Sequence, residues 1–253
     1  MKVKAIIRII ACFLAFLILL TILCGVLMIN GLFTGPSGER TTYRREISAG
    51  EFSKLQIDWA AGNITIVKGV TLGSFIITEN KDTNNPCTMT TDMDHDTLKI
   101  SYGRANITFG NVGSKDLVIT VPSTWTCDQL EINGAALTID IQDLTADTIE
   151  LDGVANNLFF QGKLNHLDSD GMSAKLDLTT VNAPERISVD GVGCSLDLTL
   201  PAEAGFDANL EGLGVSFHSQ ADYNKEDSRY TYAGKDCKIN VSGMGCEVIV
   251  NYT

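Results

Sequence analysis

Residues 149–153 read IELDG, residues 167–171 read LDSDG and residues 187–191 read ISVDG. The shared pattern is an apolar residue, a polar residue, a third residue that is usually apolar, an Asn- or Asp-like residue, and Gly. The same pattern returns, less strictly, at residues 130–134, 208–212 and 239–243. Its glycines are spaced by 19, 18, 20, 21 and 31 residues. Alternation of this kind is typical of a strand with one buried face, so one such strand recurs about every twenty residues.

A second strand follows each glycine, because apolar residues usually return five and seven positions later, as at Leu176 and Leu178. Two short strands and a tight turn in about twenty residues predict one coil of a β-solenoid. Such a coil buries its apolar side chains only by stacking on others at a spacing of about 4.8 Å. We therefore expect residues 126–253 to form β-solenoid repeats, with the glycines supplying positive φ at the corners. The longer last interval predicts an excursion at residues 221–235.

The N-terminal half of this part of the chain is also β in pattern, although it is less regular. Short alternating runs predict five strands, at residues 55–59, 63–67, 74–77, 97–100 and 117–121. Beyond residue 40 the chain has no convincing helical period. We assign residues 46–125 to a less regular β region or to N-terminal coils of the same stack. The predicted fold class is an all-β ectodomain: a single-stack β-solenoid (β-helix or β-roll) with coils of about 20 residues, preceded by one N-terminal transmembrane helix.

The chain begins with a candidate membrane anchor. Three basic residues, Lys2, Lys4 and Arg8, precede an uncharged apolar run at residues 9–29, which is long enough to cross a bilayer as a helix. The alternative, a cleaved signal peptide, fits less well because the run is long and no small-x-small cleavage site ends it. We predict a cytoplasmic segment at 1–8, a transmembrane helix at 9–29 and a linker at 30–45. The positive-inside rule favours a single-pass protein of the cell membrane with its C-terminal domain extracellular.

The charge distribution argues against nucleic acid as a partner. The formal net charge is −12, and all 31 acidic residues follow residue 38, together with only 16 of the 19 basic residues. Phosphate binding needs a clustered basic face, which this sequence does not provide.

The segment LQIDWAAGNITIV at residues 55–67, followed by the repeated apolar–Asp–Gly units, resembles a bacterial family known as putative adhesins. The resemblance covers about residues 46–252. It implies an extracytoplasmic β-solenoid domain, often tethered by one N-terminal helix, with adhesion as its inferred role, and some relatives imply envelope-stress sensing. The family supplies no catalytic residues to carry over.

Two groups of acidic residues are candidates for a chemical role. In-register stacking would place Asn133, Asp152, Asp170, Asp190 and Glu211 in one column, which could bind Ca²⁺ or could simply be solvated turn residues. The pair Asp177 and Asp197 could serve a surface polysaccharide hydrolase or lyase built on a β-helix. The solvated interpretation is favoured for both groups. We therefore predict no catalytic, cofactor-binding or metal-binding residues and no cofactor.

The cysteines Cys194 and Cys246 occupy the same interior position, three residues after a repeat glycine. If the coil of Gly212 separates them, they lie about 9–10 Å apart, which is too far for a disulfide. One bridge among Cys87, Cys127 and Cys237 remains open.

The leading functional prediction is a membrane-anchored extracytoplasmic binding module that is not an enzyme. Its partners would be the membrane, through the N-terminal helix, and a protein or another component of the cell envelope. In a sensing version, the ectodomain would act through a membrane partner, since only about eight residues lie inside the cell. The alternative is the hydrolase or lyase with Asp177 and Asp197 as its carboxylates.

Overall fold

The computed structural model describes residues 39–48, 50, 52–70, 73–103 and 114–253, and within them every regular element is a β-strand. The predicted cytoplasmic segment and transmembrane helix, residues 1–8 and 9–29, lie outside the described residues. Among the residues that are described, no helix is long and apolar enough to cross a membrane.

The strands were largely predictable from alternation, and all five runs predicted for the N-terminal half are strands. In the first half of the chain the strands are β1 (Arg40–Ser48), β2 (Lys54–Trp59), β3 (Gly62–Lys68), β4 (Ser74–Asp82), β5 (Thr90–Asp94), β6 (Thr97–Ser101), β7 (Lys115–Val121) and β8 (Cys127–Ala135). Two long strands follow, β9 (Leu137–Val154) and β10 (Asn157–Met172). The rest are β11 (Lys175–Thr180), β12 (Arg186–Val192), β13 (Ser195–Leu200), β14 (Phe206–Leu213), β15 (Ser216–Ser219), β16 (Asn224–Glu226), β17 (Arg229–Tyr232), β18 (Cys237–Met244) and β19 (Glu247–Tyr252).

Most strands belong to two runs of parallel pairs. The front run is ordered β6, β2, β8, the second half of β9, the second half of β10, β12, β18 and β14. The back run is ordered β7, β3, the first half of β9, the first half of β10, β11, β13, β19 and β15. Each front strand is followed along the chain by a back strand, and we call such a pair a rung.

The rungs do not follow chain order at the two ends. The first rung in the sequence, β2–β3, is not at the end of the stack, because β6–β7 lies beyond it. The last rung in the sequence, β18–β19, lies between β12–β13 and β14–β15. The expectation that the Gly212 coil separates Cys194 from Cys246 is therefore wrong. The rung of Gly212 is the outermost one, and the two cysteines lie on neighbouring rungs.

Antiparallel strands pair with three of the four strands at the ends of the runs, β6, β7 and β14. On the N-terminal side, β5 pairs with β6, β4 pairs with β7, and β1 pairs with β4. On the other side, the predicted excursion at 221–235 contains the hairpin β16–β17, whose second strand pairs with β14. The first strand begins at Arg40, inside the segment 30–45 that the sequence assigns to a linker. These pairings cover one edge each of β6, β7 and β14, which could otherwise pair with other chains.

The core lies between the two runs and is built from the inward residue of each alternating pair. Leu130, Ile132, Ile149 and Leu151 on the front run illustrate the pattern, since each is at most 1% exposed. Aromatic rings lie at the C-terminal end of this core, where Tyr230 of the hairpin stacks on Phe217 with ring centroids 4.5 Å apart. The hairpin thus covers apolar surface as well as a strand edge.

A buried ion pair interrupts the apolar core near β4 and β7. Lys115 and Glu79 are both fully buried, and the Lys115 ammonium group donates to the Glu79 carboxylate and to the carbonyl oxygen of Tyr102. Lys115 Nζ also lies 3.7 Å from the ring centroid of Tyr102, and Glu79 accepts from the backbone N–H of Met89 at 3.0 Å. Burial lowers the pKa of Lys115, although the Glu79 carboxylate opposes that shift. Partners surround both charges, which such deep burial requires.

Candidate functional site

The repeat glycines form one continuous column along a corner of the molecule. Backbone pairing aligns Gly134 with Gly153, Gly153 with Gly171, Gly171 with Gly191, Gly191 with Gly243, and Gly243 with Gly212. A Cβ atom added to any of these six glycines would lie only 1.7–2.0 Å from a carbonyl oxygen of the next rung. Glycine is therefore required because the backbones approach each other closely.

The expected positive φ is present at three of the repeat glycines, Gly153, Gly212 and Gly243, with values of 133–146°. The sharp left-handed turn lies two residues after each glycine. This position has φ between 53° and 70° in every repeat. It is occupied by Ala136, Ala155, Ser173, Gly193, Gly214 and Gly245. Side chains other than Gly are strained in this conformation, and small residues fill all six positions.

Between the glycine and the turn residue, each repeat carries an apolar side chain, which is exposed in five repeats and half-buried at Met172. Neighbouring rungs align these residues in a row, in the spatial order Ala135, Val154, Met172, Val192, Met244 and Leu213. We call this row the corner ridge. Val154 is 44% exposed, Val192 39%, Met244 40% and Leu213 73%. Five rung spacings give the corner ridge a length of about 24 Å.

A row of acidic residues runs beside the corner ridge, one position before each glycine. Asn133, Asp152, Asp170 and Asp190 are aligned as the sequence predicted, but Ser242 separates Asp190 from Glu211. We call Asp152, Asp170, Asp190 and Glu211, together with Asp58, which pairs with Asn133, the acidic row. Burial raises the pKa of Asp152, and the Asp170 and Glu131 carboxylates raise it further. Within the described part of the chain, no group of three or more His, Cys, Asp or Glu side chains is arranged to hold a metal ion.

A shallow cavity of about 520 Å³ opens at the start of the front strands. His166, Arg186 and Lys238 occupy equivalent positions on adjacent rungs and line it together with Thr148, Asp168 and Glu185. Arg186 Nη2 donates to Asp168 at 2.6 Å, and His166 Nε2 lies 3.7 Å from Glu185. The positive charge of Arg186 is thus compensated locally by Asp168.

The residues of the enzymatic alternative are neighbours, but they lie elsewhere. Asp177 of β11 aligns with Asp197 of β13 on the outer face of the back run. Asn251 donates its side-chain amide to Asp197 at 2.7 Å, and the preceding rung presents Phe159, which is 38% exposed. Neither carboxylate lines the cavity at Arg186 or a second cavity of about 500 Å³ that Phe52, Pro122 and Trp125 help to line. Their placement offers no support for a polysaccharide hydrolase or lyase.

The corner ridge was missed in the sequence, although its signal was present. The residue after each repeat glycine is apolar, whereas the alternation of the preceding strand assigns Asp152 and Asp170 to the solvent side. Two positions later in a strand the side chain returns to the same side, so Val154 and Met172 share that side with the carboxylates. The basic residues of the cavity could be found in the same way, since His166, Arg186 and Lys238 each directly precede a repeat unit.

Comparisons with known proteins give structural similarity only. No family model matches the chain, and no curated protein matches it. A solved structure described as a "putative cell adhesion protein" from Clostridium sporogenes is 14% identical, covers 85% of this chain and 100% of its own, and has a TM-score of 0.48. A "putative adhesin" from Bacteroides fragilis is 14% identical, with 83% and 97% coverage and a TM-score of 0.46. A "putative lipid binding protein" from Parabacteroides distasonis is 10% identical, with 87% and 98% coverage and a TM-score of 0.35. At these TM-scores the similarities carry no argument about function.

Proposed function

We propose that this chain is a membrane-tethered extracytoplasmic binding module that recognises a cationic, amphipathic peptide segment of a partner. The observation that carries the proposal is the corner ridge, where exposed apolar side chains line up beside the acidic row. Single exposed apolar residues are ordinary on protein surfaces, whereas a continuous apolar row bordered by polar residues marks an interaction site.

Charge complementarity defines the partner. Asp152, Asp170 and Asp190 lie two residues before Val154, Met172 and Val192, so every apolar contact on these rungs has a carboxylate beside it. A segment with apolar side chains on one face and Lys or Arg at its border would match both rows. Its apolar side chains would supply affinity, and its charges would supply orientation and association rate.

The fold would present this surface in a fixed shape. The glycine column holds neighbouring rungs at van der Waals contact, and the parallel hydrogen bonds fix the spacing of the exposed side chains. A rigid surface loses little conformational entropy on binding. The front and back runs, with rungs of about twenty residues, support the further proposal that the described region is a single-stack β-solenoid.

The proposal includes a membrane anchor and an external location of the C-terminal domain. The apolar run 9–29 with Lys2, Lys4 and Arg8 before it favours one membrane-spanning helix and an external C-terminal domain. A cysteine-free chain that carries single cysteines at residue 2 or at Leu213 tests this orientation in intact cells. We expect a membrane-impermeant maleimide to label the second variant and to leave the first unlabelled.

Binding is tested on the full chain in detergent micelles, with a synthetic amphipathic peptide of Leu and Lys as the probe. A scrambled peptide of the same composition, without an apolar face, is the control ligand. We expect Met244→Ser with Leu213→Ser to weaken binding at least tenfold. Val181→Ser should leave binding unchanged, because Val181 is 70% exposed but does not belong to the corner ridge.

Added salt should weaken binding further, since the acidic row would contribute screened electrostatic attraction. Equal binding of the ordered and scrambled peptides would contradict the proposal, as would full affinity in the Met244→Ser, Leu213→Ser variant. If the chain self-associates and the same two substitutions abolish this self-association, the corner ridge binds a second copy of the chain instead.

A further inference from the structure

The rung order brings two cysteines together that are far apart in the sequence. Gly191 pairs with Gly243 and Ser195 pairs with Glu247, so Cys194 and Cys246 occupy the same position on adjacent rungs. The backbone N–H of Glu247 donates to the carbonyl oxygen of Cys194 at 2.9 Å. In-register neighbours are separated by about 4.8 Å, which lies inside the Cα–Cα range of disulfides.

Both thiols point into the same part of the core. Cys194 is 3% exposed and Cys246 is 1% exposed. Their Sγ atoms donate to carbonyl oxygens of the glycine column, Cys194 to Gly171 at 3.9 Å and Cys246 to Gly191 at 3.5 Å. Burial raises the pKa of the Cys194 thiol, and the adjacent Cys246 thiol also raises it. The two sulfur atoms are therefore direct neighbours in a closed environment.

The other described cysteines lack such a neighbour in the strand registers. Cys127 pairs with Ala146 on β9, and Cys237 pairs with Phe206 on β14. Cys87 lies in the segment between β4 and β5, and its carbonyl oxygen accepts from Lys81 Nζ at 2.7 Å. The strand registers therefore favour pairing of Cys194 with Cys246 over pairing with Cys127 or Cys237.

We propose that Cys194 and Cys246 form a disulfide that fastens the last rung, β18–β19, to β12–β13. The oxidant is a small-molecule disulfide, such as oxidised glutathione or cystine. One cysteine thiolate attacks a sulfur of this molecule and releases one thiol, and the second cysteine then attacks the resulting mixed disulfide and releases another. Two protein thiols are thereby oxidised to one disulfide, and the small-molecule disulfide is reduced to two thiols.

The bond would close a loop from Cys194 to Cys246 that contains β13 to β18, including the outermost rung β14–β15 and its covering hairpin β16–β17. Local unfolding of the rung β18–β19 would then no longer separate it from β12–β13. Because both thiols are buried, they react only while the rung is open, during folding or during a transient excursion. Formation of the disulfide thus shows that β18–β19 has packed beside β12–β13.

The test uses the full chain in detergent micelles, reduced and then refolded with oxidised glutathione. We expect the intact mass to fall by two hydrogen atoms, and a peptide map to join the peptides that contain Cys194 and Cys246. The unfolding midpoint should rise by roughly 5–10 °C relative to the reduced chain. Cys246→Ser should abolish both the bond and the shift, whereas Cys127→Ser should preserve them.

The wild-type peptide map decides the matter even if a serine variant fails to fold. Free thiols at both positions after refolding would overturn the proposal. So would stable glutathione adducts without a link between the two residues, or a bridge that involves Cys87, Cys127 or Cys237.

Discussion

A Cβ atom added to Gly191 would lie 2.0 Å from the carbonyl oxygen of Gly171 on the neighbouring rung. Two residues later, Gly193 adopts the left-handed turn, but its nearest neighbour is Ser173 Oγ at 3.8 Å. One glycine is thus required by close backbone approach, and the other by its backbone conformation.

The first prediction separates these two requirements. Gly191→Ala should reduce the free energy of unfolding by roughly 3 kcal/mol or more, because relief of the clash must move backbone atoms. Gly193→Ala should reduce it by only about 1 kcal/mol, the usual cost of a left-handed Ala. Urea unfolding of both variants measures the difference. Equal losses would show that the rungs are not packed as closely as the structure has them.

The second prediction concerns the buried pair of Lys115 and Glu79. Lys115→Met should reduce the free energy of unfolding by about 3–5 kcal/mol, because it leaves a buried carboxylate without its counter-ion. The double variant Lys115→Met, Glu79→Leu should lose much less than the sum of the two single variants. A double-mutant cycle by denaturant unfolding measures this coupling.

The matched control is the exposed pair of Arg186 and Asp168, whose side chains are 50% and 38% accessible. Arg186→Ala should change the free energy of unfolding by less than about 1 kcal/mol. Additive losses at Lys115 and Glu79 would mean that the pair is not coupled in solution.

The central rungs could be predicted because each one repeats the same local pattern. The Asp152-Gly153 corner recurs at Asp170-Gly171 and Asp190-Gly191. Because the segments between these repeats are short, consecutive repeats are expected to stack in chain order. The order of the last two rungs could not be predicted in this way. Gly212 and Gly243 both carry the corner pattern, and only tertiary packing decides which of them neighbours Gly191.

The sequence indicates the buried ion pair and the corner ridge less clearly than the rungs. In both cases the indication is whether a residue occupies an inward or an outward position in its strand. Glu79 lies an even number of residues from Phe75 and Ile77 and therefore points inward with them from β4. Lys115 points inward with Leu117 from β7 for the same reason. A charged residue at an inward position predicts a buried partner, but nothing local identifies a partner 36 residues away. The apolar residues after the repeat glycines resemble core residues in the sequence, so sequence alone does not identify them as the corner ridge. The acidic residues before the glycines are recognisable as possible ligands.

The third prediction concerns alkaline pH. Burial raises the pKa of Cys127 and that of Cys237 from 9.0 to about 12. Between pH 9 and 12 the unfolded chain releases these protons while the folded chain keeps them, so stability falls as the pH rises. Each thiol contributes at most about 1.4 kcal/mol per pH unit in this window. Thermal unfolding of the reduced chain from pH 8 to 11 measures the slope.

Cys127→Ala should make this slope shallower, because it removes one of the groups that hold a proton only in the folded state. Tyr102 supports the same trend, since burial raises its pKa from 10.0 to about 12. A slope that Cys127→Ala leaves unchanged would show that the Cys127 thiol is not shielded from water.

The fourth prediction concerns the hairpin β16–β17, which covers the outer edge of β14 and the ring of Phe217. Replacement of residues 221–235 by a short Gly/Ser linker would free the edge of β14 for pairing with another chain. We expect the shortened chain to form dimers or larger assemblies in sedimentation velocity experiments, whereas the full chain keeps this edge covered. Tyr230→Ser is the matched control, because it uncovers Phe217 but leaves the backbone pairing of β17 with β14 in place. If Tyr230→Ser associates as strongly as the shortened chain, exposed apolar surface rather than the free strand edge drives association. If neither variant associates, the hairpin has no protective role and serves only to bury the aromatic end of the core.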